Sequence, residues 1–402
     1  MRNKWNLLSL IIMMIGPILG GCWNQKELTD LAFVMAMGID KGETSRYDVT
    51  FQIIIPGNVA SGQNSGGKGL PFAVYKSSGD NLTEAARKVT RKLPRRLYYA
   101  HTNLLVINED VAREGVYNIL DALERDPEFR TTTQMIVVKD TTADKFISTV
   151  TTIEKIPVTK ITKSLKTTQE MLGENLEITI DEFVTSLVSS GKEPVISAFK
   201  IEGDEKSYDQ LANTDTATPH TVLTADGLAI FQNGKLTEWI NGEKARGIVW
   251  ILNKVKSTDI NLNWKGKKDA ISITTIRAKA TISANIKNGK PIIQVLIEEE
   301  GNFSEANANI DIMNPNEIKK IETALEKEIK EEITTSINEV QNLKSDIFGF
   351  GEKIHQKDPK LWKKLKEDWD EHFAELQVDV KVRAYIRRSG LRTNPFWFNL
   401  DQ

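Results

Sequence analysis

The fold of the first half of the chain is decided by residues 104–138, LLVINEDVAREGVYNILDALERDPEFRTTTQMIVV. Leu104 to Ile107 and Met135 to Val138 are short, unbroken apolar runs, which are typical of strands buried on both faces. Val111 to Leu123, between them, has the apolar spacing of an amphipathic helix. A strand, a helix and a strand at this separation predict two parallel strands joined by a crossover.

The neighbouring segments extend this α/β pattern to about residue 200. We predict a strand at Tyr47 to Ile55 and helices that begin at Asp80, at Thr141 with Asp144, and at Ile180. Leu31 to Ile39 fits either a helix or a buried strand, because its apolar period does not distinguish the two. The sequence therefore predicts an N-terminal α/β domain over residues 22–200.

A different pattern follows, and it predicts a middle domain over residues 201–268. Glu202 to His220 is polar and is typical of a linker or long loop. Gly227 to Phe231, followed by Asn233-Gly234, predicts a hairpin, because Asn-Gly supplies the positive φ angles of a type I′ turn.

Residues 269–402 predict a C-terminal α+β domain with a long helix at 316–341. Two apolar strands flank a second Asn-Gly turn at Asn288-Gly289. Asn314-Pro315 is a helix start, and a second helix carries apolar residues from Leu361 to Leu376. Val378 to Ile386 alternates as a half-buried strand does. The predicted fold class is α+β with α/β elements, in three domains, each a sheet packed with helices.

The amino terminus carries the signature of export and lipid attachment. Arg2 and Lys4 precede an apolar run that closes on Leu19-Gly20-Gly21-Cys22. This pattern predicts a lipoprotein signal peptide at residues 1–21, with Cys22 as the site of S-diacylglycerol and N-acyl attachment. The run is too short for a comfortable transmembrane helix, which needs about 20 residues. An ordinary signal peptide with a chance cysteine, or a short anchor, is the alternative.

Composition restricts the possible partners. The chain has 402 residues, a net charge of −2 and one cysteine, so it forms no internal disulfide. A near-neutral balance gives no global electrostatic argument for nucleic acid. One helix face is nevertheless basic, with Arg87, Lys88, Arg91, Lys92, Arg95 and Arg96. This face is either solvated or meets an acidic partner or lipid headgroups.

The sequence offers no catalytic, cofactor-binding or metal-binding residues. The four histidines, His101, His220, His355 and His372, have no metal-ligand spacing. Gly62 to Gly69 spells GxxxxGKG, but it lacks the Ser or Thr that a phosphate-binding loop needs after its lysine. We therefore expect a protein that is not an enzyme and uses no cofactor.

Several motifs resemble the Ger(x)C family, the C subunits of nutrient receptors for spore germination. They are Cys22-Trp23-Asn24 after the lipobox, Gly38-Ile39-Asp40, Arg95 through His101, Gly227 to Phe231 with Gly247 to Trp250, and Gln341 through Phe350 continuing to Trp362 and Trp369. Asn24 stands where the family usually has Asp. The resemblance spans nearly the whole chain after the signal peptide.

The resemblance implies a lipid-anchored receptor subunit without enzymatic activity. It would lie at the outer face of the inner spore membrane, with membrane-spanning A and B subunits as partners and no nucleic acid. The nutrient would be sensed chiefly by the B subunit. Two other classes stay open: a lipid-anchored solute-binding protein of an uptake system, and a surface hydrolase. The first would need a cleft between two similar lobes, and the second a nucleophile–base pair.

Overall fold

A computed structural model describes Trp5 and residues 27–59, 69–204, 206–210, 213, 216–388 and 394. Cys22, Trp23, Asn24 and all of Gly62 to Gly69 except Gly69 lie outside these residues. No helix in the described part of the chain combines the length and the apolar character that crossing a bilayer requires.

Nine strands form the first sheet. They are β1 (Leu31–Lys41), β2 (Tyr47–Ile54), β3 (Phe72–Gly79), β4 (Arg96–Tyr98), β5 (Leu104–Asn108), β6 (Gln134–Val138), β7 (Val195–Gly203), β8 (Thr221–Gln232) and β9 (Lys235–Ile240). Their order is β3-β2-β1-β5-β6-β7-β8-β9, and β4 pairs with the start of β1. The predicted parallel pair is confirmed, because β5 and β6 are parallel neighbours at the centre of the sheet. The segment whose type was left open, Leu31 to Ile39, is strand β1.

Among the described residues, seven α-helices accompany this sheet. They are α1 (Pro56–Val59), α2 (Leu82–Lys88), α3 (Glu109–Glu114), α4 (Tyr117–Glu124), α5 (Ala143–Ser148), α6 (Pro157–Met171) and α7 (Ile180–Val188). Helices α2, α3, α4 and α7 bury their apolar residues on one face of the sheet. Helices α5 and α6 do so on the other face. The central strands are covered on both sides, which explains their unbroken apolar sequence.

Local helix boundaries differ from the prediction where long-range contacts decide them. The single helix predicted over Val111 to Leu123 is two helices, and the N–H of Val116 donates between them to the carbonyl of Gly234, 3.0 Å away. Asn81, not Asp80, caps α2. Thr142, not Thr141, caps α5, and the N–H of Asp144 donates instead to Asp40. The apolar spacing does not encode any of these contacts.

The predicted hairpin of the middle segment is confirmed as β8 and β9. Asn233 and Gly234 both have positive φ, 50° and 70°, as a type I′ turn requires. Strand β8 also pairs with β7, so the hairpin completes the first sheet. The division into 22–200, 201–268 and 269–402 stays a prediction.

Four strands form the second sheet. They are β10 (Asp259–Trp264), β11 (Lys267–Lys287), β12 (Lys290–Ala306) and β13 (Gln377–Arg388), in that order. The first three pair antiparallel, and β13 lies parallel to β12. The turn between β11 and β12 is Asn288-Gly289, as predicted.

Five helices accompany the second sheet. They are α8 (Gly242–Ile251), α9 (Pro315–Asn342), α10 (Phe350–Lys357), α11 (Pro359–Leu365) and α12 (Trp369–Ala374). The long helix predicted at 316–341 is α9, and it buries one apolar stripe against the sheet. The helix predicted over Leu361 to Leu376 is instead α11 and α12, which the tight turn Lys366–Asp368 separates. Helices packed on sheets confirm the predicted α+β class with α/β elements.

One hydrophobic core joins the two sheets. Val195, Leu228 and Ile230 of the first sheet lie in the same buried cluster as Ile329 of α9 and Val295 of the second sheet. Removing either sheet would therefore expose apolar surface on the other.

Helix α9 also covers the outer edge of the second sheet. The N–H of Ala384 in β13 donates to Oε1 of Glu326, 3.3 Å away, and the N–H of Ile386 donates to Oε1 of Glu322, 3.1 Å away. An edge strand otherwise presents unpaired N–H groups to other chains. Two side chains of α9 thus take the place of a missing neighbouring strand.

We predict that Glu326→Ala lowers the free energy of unfolding by about 1–3 kcal/mol, because the buried N–H of Ala384 loses its acceptor. Urea denaturation measures the change. Glu326→Gln keeps an acceptor oxygen and should restore most of the loss. Lys327→Ala, on the exposed side of the same helix, is the control and should change stability by less than about 0.5 kcal/mol. Equal effects of the two alanine variants would contradict the edge contact.

Candidate functional site: an interdomain junction and an arginine groove

The block 341–350, QNLKSDIFGF, lies where the helices of the second sheet meet the first sheet. The Ser345 hydroxyl donates to the carbonyl of Phe231 in β8, 2.6 Å away. The N–H of Glu193 donates to the carbonyl of Asp346, 2.8 Å away. We call this region the interdomain junction and define it by Glu193, Phe231, Gln232, Ser345 and Asp346.

Gln232 adds a side-chain contact across the same junction. Its Nε2 donates to the carbonyl of Lys344, 3.2 Å away, and to Oδ2 of Asp370, 2.9 Å away. The last residue of β8 is therefore tied both to the end of α9 and to α12. Several directional contacts hold the two sheets in one orientation.

The carboxylate of Asp346 organises the junction from inside the core. It is 1% exposed and accepts from the N–H groups of Phe350 (3.0 Å) and Gly351 (2.8 Å) and from Nε1 of Trp369 (3.0 Å). Burial raises the pKa of Asp346 to about 7, although these donors favour the ionised form. One carboxyl group thus fixes the start of α10 and the ring that begins α12.

The junction is closely packed at Gly191 and Gly351. A methyl group added at Gly351 would lie 2.7 Å from Cα of Gly191, and one added at Gly191 would lie 2.5 Å from the ring of Trp362. Neither position has room for a side chain. This contact requires glycine on both sides.

A second tie joins α8 to α9 through a buried ion pair. Nε of Arg246 donates to Oε2 of Glu332 at 3.0 Å, and its Nη2 donates to the other carboxylate oxygen. The side chain of Glu332 is 4% exposed. The Ser336 hydroxyl, one turn further on, donates to the carbonyl of Lys244 at 2.8 Å. These contacts orient the segment Gly247 to Trp250, which carries part of the family resemblance.

The motif Gly38-Ile39-Asp40 holds helix α5 against β1. The carboxylate of Asp40 accepts from the N–H groups of Ala143 (2.7 Å) and Asp144 (2.9 Å), the first residues of α5. A side chain at Gly38 would come within 3.1 Å of Ala143. Burial raises the pKa of Asp40 to about 6. The motif therefore fixes the N-terminus of α5 to β1 within the first sheet and its helices.

A groove of about 890 Å³ opens on the face of the first sheet that carries α2 and α4. Its floor is apolar and includes Met37 of β1, Phe51 of β2 and Leu97 of β4. One wall is α2 with the segment up to Arg96, and the other is the end of α4 with residues 125–129. We call it the arginine groove, because Arg87, Arg95, Arg96 and Arg125 line it.

The basic helix face predicted from the sequence lies partly on this rim. Some of its cations are engaged: Arg96 pairs with Glu128 at 2.7 Å and Lys88 with Glu84 at 2.7 Å. Arg87 is exposed and has no carboxylate within 4.0 Å among the described residues. The same is true of Arg95. Two guanidinium groups that have no carboxylate partner among the described residues therefore line an apolar groove.

The predicted lipid-attachment residue and one of the histidines are placed as follows. Cys22 lies outside the described residues, so its lipid attachment stays a prediction. His101 contacts the rings of Phe33 and Tyr98 at 5.5 and 5.9 Å between centroids. Within the described ranges, no group of three or more His, Cys, Asp or Glu side chains is arranged to hold a metal ion.

Sequence reasoning did not single out the acidic residues that matter most in the structure. Glu332 follows Glu331 on a highly charged helix and Asp346 lies in a short connection between two helices, and in both settings an acidic residue is usually solvated. A signal for Asp346 was present, because Ser345-Asp346 precedes an apolar run that begins a helix. Glu332 carries no comparable signal, since its partner Arg246 is 86 residues away.

Two family models match the chain. The one described as Spore germination protein N-terminal domain matches residues 24–201, and the one described as Spore germination B3/GerAC like, C-terminal, matches residues 226–390. Together they cover most of the sequence.

Curated relatives and a solved structure agree with these matches. Spore germination protein KC of Bacillus subtilis (strain 168) is 40% identical over 394 residues, which is 97% of each chain. Spore germination protein B3 of the same organism is 24% identical and covers 92% of this chain and 94% of its own. The crystal structure of the GerBC protein has a TM-score of 0.53 at 18% identity, covering 90% of this chain and 99% of its own. At that identity the last likeness shows the fold alone.

We predict that Asp346→Ala lowers the free energy of unfolding by about 3 kcal/mol or more, because three buried N–H donors lose their acceptor. Chemical denaturation of the intact chain measures the effect. Asp368→Ala, an exposed carboxylate at the start of α12, is the control and should be nearly neutral. A small effect of Asp346→Ala would mean that the donors find water instead.

We also predict a pH dependence that Asp346→Asn removes. The folded pKa of Asp346, about 7, lies above its ordinary value of 3.8, so the folded state binds this proton more tightly. The part of the stability that comes from this bound proton is fully present below about pH 4 and is lost as the pH rises through 7. The difference in unfolding free energy between the native chain and Asp346→Asn should therefore shrink from pH 4 to 8 and then stay constant. A difference that grows with pH would contradict the assignment.

Proposed function

Because this chain belongs to the Ger(x)C, or GerAC-like, family of spore germination proteins, we propose that it is the lipid-anchored C subunit of a nutrient germinant receptor. We infer that it has no catalytic activity and that it acts by contact with membrane-spanning A and B subunits. Its place is the outer face of the inner spore membrane.

The observation that carries this proposal is the match to a spore germination relative over 97% of both chains. A match of that extent includes both sheets and the junction between them, and not a single shared domain. The sequence Leu19-Gly20-Gly21-Cys22 adds the anchor, since it has the form of a lipobox.

Lipid attachment gives a non-catalytic protein a physical means to act. One acyl chain binds a membrane only marginally, whereas a diacylglyceryl group makes the anchor stable. Confinement to the membrane raises the effective concentration of the chain toward partners in the same membrane. A contact too weak to form in solution is then populated on the surface.

The interdomain junction supports an action by contact. Gln232, Ser345 and Asp346 fix the second sheet relative to the first, so the two domains present one rigid surface. A partner that binds such a surface does not have to order it first, and less affinity is lost to conformational entropy.

The rival function, a lipid-anchored solute-binding protein, fits the fold less well. That class needs two similar lobes with a ligand cleft between them. Here the first sheet has nine strands of mixed direction and the second has four, and one shared core fills the space between them. Equilibrium binding of amino acids, sugars and nucleosides to the chain tests the rival directly.

We predict that Cys22→Ala releases the protein from the membrane fraction and abolishes the nutrient response, with the fold intact. Fractionation of spores with antibody detection, and loss of optical density after nutrient addition, measure the two effects. Gln25→Ala, three residues after the lipobox cysteine, is the matched control and should behave as the native chain does. Membrane retention and normal germination of Cys22→Ala would refute the anchor.

A further inference from the structure

We propose that the arginine groove binds the headgroup region of an anionic phospholipid in the membrane to which the chain is anchored. The phosphate would lie between Arg87 and Arg95, and the glycerol and first methylenes would contact the apolar floor. This inference rests on the proposed lipid anchor at Cys22 and adds a second, non-covalent membrane contact to it.

The position of the groove in the chain is the first support. Asp30 lines the groove, and Cys22 lies eight residues before it. Eight residues span at most about 28 Å when fully extended. The groove is therefore held within that distance of the bilayer surface, whatever path the intervening residues take.

The charges on the groove are the second support. Arg87 and Arg95 line the groove, are exposed and have no carboxylate partner among the described residues. A guanidinium group offers a planar pair of donors that matches a phosphate. Two such groups beside each other at a membrane attract anionic headgroups.

The opposite wall does not cancel this charge. Its Glu128 is engaged by Arg96 at 2.7 Å, and Asp126 accepts from the N–H of Glu128 at 2.9 Å. Arg125 pairs with Asp121 at 2.8 Å. Asp30 and Asp126 have no cation partner among the described residues, but they are outnumbered by the cations of residues 87–96 that have no carboxylate partner there, which are Arg87, Arg91, Lys92 and Arg95.

The apolar floor is the third support, and it favours a lipid over a simple anion. Ala86 and Ala122, which are half-buried, and Pro94 and Pro127, which are exposed, also line the groove, so they add an accessible apolar surface to the charged rim. A phosphate ion would use only the rim. A phospholipid has both a phosphate and a hydrocarbon part, and so matches the whole groove.

The test uses the full lipidated chain with one reporter in the groove. Cys22 is the only cysteine and its thiol is consumed by the lipid, so Thr90→Cys gives a single site for an environment-sensitive fluorophore. The protein is reconstituted on vesicles of phosphatidylcholine alone or with phosphatidylglycerol, each with a nitroxide lipid as quencher. We expect quenching of the Thr90 label at least threefold stronger on the anionic vesicles, and less at high salt.

Substitution of the rim identifies the residues responsible. Each arginine near an anionic surface contributes about fivefold to the equilibrium, so Arg87→Gln with Arg95→Gln should weaken the contact about 25-fold. Lys254→Gln with Lys256→Gln, the same charge change after helix α8, is the matched control and should leave the quenching unchanged. Circular dichroism verifies that both variants are folded.

The outcomes separate the groove from the anchor. If the chain floats with both kinds of vesicle but its label is quenched to the same extent on both, the lipid contact is overturned and the anchor still stands. A label that is shielded only when the A and B subunits are added also overturns it and assigns the groove to an acidic protein surface. A chain that floats with neither vesicle refutes the anchor, and the inference falls with it.

Discussion

The arrangement of the two domains depends on one buried carboxyl group, that of Asp346. Its oxygens accept from two backbone N–H groups at the start of α10 and from the ring of Trp369, and its own backbone carbonyl accepts from Glu193 in the first domain. A polar group in a core costs free energy unless all its partners are present. The contacts at the junction are therefore interdependent, and the carboxyl group of Asp346 supports the segment whose backbone and neighbouring side chains tie the two sheets together.

In the described part of the chain, the motifs that resemble the Ger(x)C family make contacts that stabilise the fold. Asp40 receives the first N–H groups of α5, β4 supplies one border of the arginine groove, and the block from Gln341 to Phe350 builds the junction. None of these positions bears a nucleophile–base arrangement. These motifs therefore dock helices and join the two sheets in the described part of the chain.

Much of this fold could be predicted from the sequence, and the failures have a common cause. The central parallel strands, the Asn-Gly hairpins and the long helix α9 follow from apolar period and turn chemistry, which are local. The predicted N-caps of α2 and α5 were each wrong by one residue, and the break between α3 and α4 was not predicted. Distant groups such as Asp40 and Gly234 contribute to these boundaries. The groove combines segments that are far apart in sequence. The basic residues could therefore be recognised from the sequence, but the apolar floor beneath them could not.

The covering of β13 by Glu322 and Glu326 limits how copies of this protein can pair with one another through the second sheet. Beyond Thr275, β11 has a sheet neighbour on only one side among the described residues, and its exposed Arg277 and Lys279 discourage pairing. A filament that grows by strand pairing between molecules needs two free sheet edges in each molecule. With one edge of the second sheet covered, strand pairing through that sheet ends at two molecules and cannot propagate through it into a filament.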